Sequence, residues 1–110
     1  MESVPIENLS LATFQNVAGQ KFTVRLENEQ ATELLLAEVV SRGGSAFPDG
    51  KQSEAFSLMF RGPQTPFLEQ KMYSFEQPEI GAFKLFIVPI SSDADGFTYE
   101  AVFNRLVKKS

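Results

Sequence analysis

The chain has 110 residues, of which 43% are hydrophobic and 22% are charged, and its net charge is -4. This length corresponds to one domain with a single core. The sequence contains neither Cys nor His, so it lacks disulfides, Cys nucleophiles, His general bases and thiolate or imidazole metal ligands. We therefore predict a protein that is not an enzyme and has no cofactor, and the acidic balance argues against a nucleic-acid partner.

The N-terminus predicts a cytoplasmic protein that does not enter a membrane. Glu2 and Glu7 stand where a signal peptide would be basic, and no apolar segment follows them. No stretch approaches the roughly 20 apolar residues of a membrane span. We expect one domain over residues 1–110, with frayed ends at residues 1–8 and 105–110.

The first predicted element is a short helix. Ser10 is a preferred N-cap type, and Gly19 stands where the helix should end. Leu11, Phe14 and Val17 then lie on one side. Because two turns are too few for a helix to be stable alone, we expect its apolar side to plug one end of a sheet.

The period changes to two after Gln20, which predicts strands. Phe22, Val24 and Leu26 alternate with polar residues, and a turn near Asn28 leads to a second strand over residues 32–42. Residues 34–36 are three leucines, apolar on both faces, so we expect a bulge or a covering element there. Residues 43–53 are rich in turn-forming residues and are predicted to form a long loop.

Four further strands complete the pattern. Strands are predicted over residues 54–61 and 72–77, the second stopped by Pro78. Residues 83–90 are apolar at nearly every position, so we predict a strand buried on both faces, with Pro89 at an edge or outside the pairing. The last strand carries Phe97, Tyr99, Ala101 and Phe103.

These elements predict a mainly β fold. Sequential antiparallel strands usually pair, and closure removes exposed edges. We therefore expect a single small antiparallel meander barrel of about six strands with a short N-terminal helix, and a two-layer sandwich is the alternative.

The polar turn before the last strand imitates half of a calcium loop. Ser91, Asp93 and Asp95 place oxygen atoms at alternate positions before Gly96. The twelfth position, which needs a bidentate Glu, is Val102, so an ordinary hairpin turn is the favoured interpretation. Asp93 and Asp95 remain weak metal-site candidates.

Two residues are candidates for partner binding. Phe47 is an aromatic residue in an otherwise polar loop, where rings often anchor a partner. Arg61 ends an aromatic strand and can bind a carboxylate or stack on a ring. The alternative is that Arg61 pairs with a strand neighbour while Gly62 and Pro63 form a tight turn.

Two segments carry a resemblance to a known family. They are Phe-Ser-Leu-Met-Phe-Arg-Gly-Pro at residues 56–63 and Tyr-Glu-Ala-Val-Phe-Asn at residues 99–104. With the spacing of Leu11, Phe14, Val17, Gly19 and Phe22, the chain resembles a family of small bacterial domains of unknown function. The resemblance implies no catalytic residue. It implies an assembly or accessory role beside phage-tail-like proteins.

The sequence leaves two functions open. The first is a non-enzymatic protein-interaction or assembly module, which binds a protein partner or a second copy of the chain through a strand edge or the loop around Phe47. The second is a small barrel that binds an apolar ligand in a pocket lined by phenylalanines: Phe60, Phe75, Phe86 and Phe103.

Overall fold

The computed structural model describes residues 2–42 and 51–108, with side chains described for residues 2–42 and 54–104. The elements in chain order are a 3₁₀ turn (Ile6–Asn8), α1 (Leu11–Gln15), β1 (Lys21–Arg25), a second 3₁₀ turn (Glu27–Glu29), β2 (Ala31–Ser41), β3 (Lys51–Gly62), β4 (Lys71–Gln77), β5 (Gly81–Asp93) and β6 (Gly96–Lys108). Most of the predicted loop of residues 43–53, including Phe47, lies outside the described residues, and its last three residues belong to β3.

The six strands form one antiparallel sheet that closes into a barrel with the order β1-β2-β3-β6-β5-β4. This confirms the predicted barrel, but the meander order is wrong because β3 pairs with β6 and β1 pairs with β4. The physical reason is strand length. With 12 and 13 residues, β3 and β6 satisfy far more backbone groups by pairing with each other than β3 would gain from β4, which has 7.

The short helix plugs one end of the barrel, as predicted. The Ser10 hydroxyl accepts a hydrogen bond from the backbone N–H of Thr13 at 3.2 Å, and the Thr13 hydroxyl accepts one from the N–H of Ser10 at 3.3 Å. This reciprocal cap fixes the first turn of the helix. The ring of Phe14 is buried, and its centroid lies 5.5–6.1 Å from three rings of the barrel wall: Phe56, Phe83 and Phe103.

Aromatic side chains fill the interior. The ring of Phe22 meets Phe60 edge-on at 5.3 Å between centroids, and Phe60 lies 5.4 Å from Phe75. Tyr99 is buried, and its hydroxyl accepts a hydrogen bond from the N–H of Leu68 at 3.0 Å. This bond ties the connection between β3 and β4 to the core, because a buried hydroxyl needs a polar partner.

The prediction that β5 is buried on both faces is wrong. Phe83, Leu85 and Ile87 are buried, whereas Lys84 and Phe86 are exposed. The wall of a small barrel has one inward face, and strand alternation places every second residue on the outer one. An apolar run in this wall therefore leaves apolar side chains outside.

Local irregularities follow the predictions for β2 and Pro89. The pairing of β2 with β3 shifts register between Leu36 and Glu38, so a bulge lies just after the three leucines. Pro89 lies beyond the last β4–β5 pair, which is Lys71 with Ile87, although it still stands opposite Tyr99 of β6.

Among the described residues, no helix has the length and apolar character needed to cross a membrane.

The plug suggests a first test. Replacing Phe14 with Ala removes a buried ring that contacts three others, so we expect a loss of about 3–5 kcal/mol in the free energy of unfolding. The measurement is urea denaturation followed by circular dichroism. Phe67→Ala is the matched control, because Phe67 is 50% exposed, and it should cost under about 1 kcal/mol. Equal losses for the two variants would contradict the plug.

Candidate functional site

The wall of the barrel opens between β5 and β6. Their ladder runs from Asp93 and Gly96 at the hairpin to Val88 and Glu100, where it stops. Beyond this point β6 continues along β3 as far as Lys108. The two strands therefore separate, and the space between them is called here the β5–β6 cleft.

Backbone groups of β6 point into this cleft. The N–H of Arg42 donates to the carbonyl of Ala55 at 2.8 Å, so Ala55 directs its backbone groups toward β2. Because this direction alternates along a strand, Phe56 bonds toward β6, where its partner is Phe103. The residues on either side of Phe103 direct their N–H and C=O groups the other way, toward β5: Val102 and Asn104.

Backbone groups of β5 point into the cleft from the other side. Ala82 donates its N–H to the carbonyl of Glu2 at 2.8 Å and accepts from the N–H of Val4 at 2.7 Å, on the side away from β4. Alternation gives Lys84 and Phe86 the same direction. Within the described part of the chain, no ladder pairs the cleft-facing backbone groups of Lys84 and Phe86 in β5, or those of Val102 and Asn104 in β6. The cleft thus has two open strand edges.

Apolar side chains surround the cleft. The outer stripe, defined as Met72, Phe86 and Val102, is 55%, 45% and 61% exposed in that order. Met72 stands directly opposite Phe86 in the β4–β5 ladder. The cavity has a volume of about 390 Å³, and its wall also includes Ile6, Leu85 and Phe103. Such a cavity is within the size range of ligand and peptide-side-chain sites.

The charges beside the cleft are unevenly matched. Glu100 accepts from the Arg42 guanidinium at 3.0 Å, and the same guanidinium donates to the buried hydroxyl of Ser57 at 2.7 Å. Lys84 has no ion-pair partner among the side chains that the structure describes. Among the described side chains at the rim of the cleft, Lys84 is therefore a cation without a carboxylate partner.

The structure brings two predicted site residues together away from the cleft. The Arg61 guanidinium donates to Asp93 at 2.8 Å and to the hydroxyl of Thr98 at 2.7 Å. This is the strand-neighbour pairing that was the alternative for Arg61, and its role in partner binding stays a prediction. Phe47 lies outside the described residues, so its role also stays a prediction.

The turn after β5 is a two-residue hairpin turn. Asp93 and Gly96 are paired, and the Asp93 carboxylate accepts from the N–H groups of Asp95 and Gly96 at 2.9 and 3.2 Å. One oxygen atom of Asp93 thus serves the turn and Arg61. No group of three or more acidic, His or Cys side chains is placed to hold a metal ion within residues 2–42 and 54–104.

Sequence reasoning missed the outer stripe because it placed Phe86 in a strand without an outer face. Lys84 was the available signal. It has the same parity as Phe86, and a lysine in an apolar run marks the side that faces water. Val102 shares the outer face of β6 with Glu100 and Asn104, which gives the same indication.

The pairing of Arg61 with Asp93 allows a test by titration. The Arg61 guanidinium, followed by the turn N–H of Asp95, holds the pKa of the Asp93 carboxyl below its ordinary value. The stability that the Arg61–Asp93 pair contributes is therefore fully present above the ordinary Asp pKa, and it is lost as the pH falls through the lowered pKa of Asp93. We expect Arg61→Gln to raise the Asp93 pKa in an NMR titration.

Arg25→Gln is the control for this titration, because Arg25 pairs with Glu76 at 2.8 Å and lowers the pKa of that carboxyl instead. It should raise the pKa of Glu76 and leave that of Asp93 unchanged. An Asp93 pKa that is the same in the parent chain and in Arg61→Gln would contradict the pairing.

Comparison with known proteins identifies the family. No curated protein and no solved structure matches the chain. A family model described as a domain of unknown function (DUF6916) matches residues 9–103 and so covers α1, all of β1 to β5 and most of β6. The expected membership of an uncharacterised domain family is thereby confirmed, and the chain belongs to the DUF6916 family.

Proposed function

We propose that this chain is a non-enzymatic protein-interaction or assembly module that binds its partner at the outer stripe. The observation that carries the proposal is the exposure of Met72, Phe86 and Val102 beside one another on the outside of a barrel. About half of each side chain is exposed, and large apolar side chains carry on the order of 200 Å² each, so the stripe offers roughly 300 Å². Patches of this size on soluble proteins are often functional.

The packed interior favours this proposal over an internal apolar ligand. Phe60 and Phe75 lie 5.4 Å apart between ring centroids, and Phe56 stacks on Phe103 at 4.5 Å. Three of the four phenylalanines expected to line a ligand pocket are therefore in ring contact with neighbours. The fourth, Phe86, faces outward. Small barrels are generally filled by their own side chains in this way.

The ionisable side chains also fit a binding role better than a catalytic one. Three arginines pair with carboxylates on the outside of the barrel: Arg25 with Glu76, Arg42 with Glu100, and Arg61 with Asp93. Pairing with arginine holds the pKa values of the Glu76 and Asp93 carboxyls below their ordinary values, away from the neutral range that general acid–base catalysis needs. The proposal includes the accessory role beside phage-tail-like proteins that the family resemblance implies, and the predicted role of Phe47 in partner binding.

Photo-crosslinking in the native cells tests the proposal. A benzoylphenylalanine residue in place of Phe86 should form a covalent adduct with a discrete partner, because this ring lies at the centre of the stripe. The same residue in place of Phe67 is the control, since Phe67 is equally exposed but contacts Phe97 at 4.8 Å at another place on the barrel. Adducts are identified by mass spectrometry.

The expected result is a specific adduct from position 86 that is absent from position 67. Phe86→Ser should then abolish co-purification of the crosslinked protein, while circular dichroism confirms that the variant remains folded. Equal adduct patterns from the two positions, or none from either with a strictly monomeric chain by light scattering, would refute the proposal.

A further inference from the structure

We infer that the β5–β6 cleft binds an extended segment of a partner protein, apolar at alternate positions and carrying an acidic residue, which adds a strand to the open edge. The inference rests on the proposed interaction role and specifies the partner's chemistry. Strand addition requires unpaired backbone groups along an edge and an adjacent surface for alternate side chains. The cleft provides both.

The backbone of the cleft supplies the edge. Val102 and Asn104 of β6 direct N–H and C=O groups toward the cleft, and Lys84 and Phe86 of β5 do so from the opposite side. Exposed groups of this kind are a template for an additional strand. Because these groups point away from the β3–β6 and β4–β5 ladders, main-chain hydrogen bonds to an incoming segment would not break the bonds of those ladders.

The chain itself already uses this edge. Ser3 forms a parallel bridge with Ala82, and the flanking Glu2 and Val4 exchange both hydrogen bonds with it. The N-terminal segment therefore pairs with β5 as a strand, but the pairing is confined to Ala82. Two residues further along β5, the described part of the chain gives the same side of the strand no ladder partner, so a partner segment would extend a mode of pairing that the fold already uses.

The size of the apolar surface favours a short segment over a second copy of the chain. A standard stable interface buries about 800 Å² on each partner. The roughly 300 Å² of the outer stripe falls below the apolar share of such an interface, which is about 450 Å² on each partner. A few residues of extended chain can cover it, and their main-chain hydrogen bonds supply the affinity that the area does not.

The charge at the rim favours an acidic residue in that segment. Glu100 is already neutralised by Arg42, whereas Lys84 has no ion-pair partner among the described side chains. Beneath the edge, the cavity wall is apolar at Ile6, Leu85 and Phe103. Inward side chains of the segment would therefore meet the apolar cavity wall, and outward ones would meet the outer stripe and Lys84, which share the outer face.

Peptide selection tests the inference. A phage library of random 12-residue peptides is panned against the immobilised full chain and, separately, against Phe86→Ser and Val102→Ser. We expect peptides with apolar residues at alternate positions and at least one Asp or Glu to be enriched on the parent chain. A synthetic fluorescent copy of the leading peptide should bind at least tenfold more weakly to either variant.

Backbone methylation then separates strand addition from other binding modes. In an added strand every second N–H faces the edge, so N-methylation at those positions should weaken binding at least tenfold, while methylation at the intervening positions should not. Lys84→Glu should weaken the binding of acidic peptides and leave neutral ones unaffected. Leu35→Ser, at an exposed leucine of β2, is the control that should change nothing.

The outcomes separate this inference from the proposed function. Peptides that bind at the stripe but are weakened equally by N-methylation at every position would overturn strand addition. They would leave an interaction role at this surface intact. Enriched peptides that are insensitive to Phe86→Ser and Val102→Ser, or no enrichment at all, would overturn the inference. The crosslinking result at position 86 then decides the proposed function independently.

Discussion

The long ladder between β3 and β6 constrains the rest of the barrel. These strands pair from Lys51 and Lys108 to Gly62 and Phe97, and so β6 follows β3 over its whole length. On its other edge β6 pairs with β5 only near their shared hairpin, as far as Val88 and Glu100. The helical plug and the β5–β6 cleft both lie where the two strands have separated.

The separation explains both the helical plug and the cleft. Phe14 packs against rings from β3, β5 and β6, and so it fills the interior where the wall is incomplete. The N-terminal segment pairs with β5 at Ala82 and covers part of the open side. Between Ala82 and Val88 this edge has no ladder partner among the residues that the structure describes, and exposed apolar side chains lie beside it. An incomplete wall thus joins a stable core to a surface suited to an extended partner.

Local patterns in the sequence predicted the strands, the Ser10 cap and the role of Phe14, because each depends on residues a few positions apart. Strand order was not predictable in this way, since pairing Ala55 with Asn104 depends on matching strand lengths across the chain. The same limit applies to Arg61, whose partner Asp93 is distant in sequence. The outer face of Phe86 was encoded by Lys84, but the continuous apolar run masked that signal.

Amide hydrogen exchange of the free chain, followed by NMR, tests the open edge most directly. If the edge is open, exchange alternates along β6: it is slow at Ala101 and Phe103, which bond to β3, and faster by orders of magnitude at Val102 and Asn104, which face the cleft. Glu100, opposite Val88 in the ladder, should be protected. Uniform protection from Glu100 to Asn104 would mean that β5 and β6 stay paired and that the cleft has no open edge.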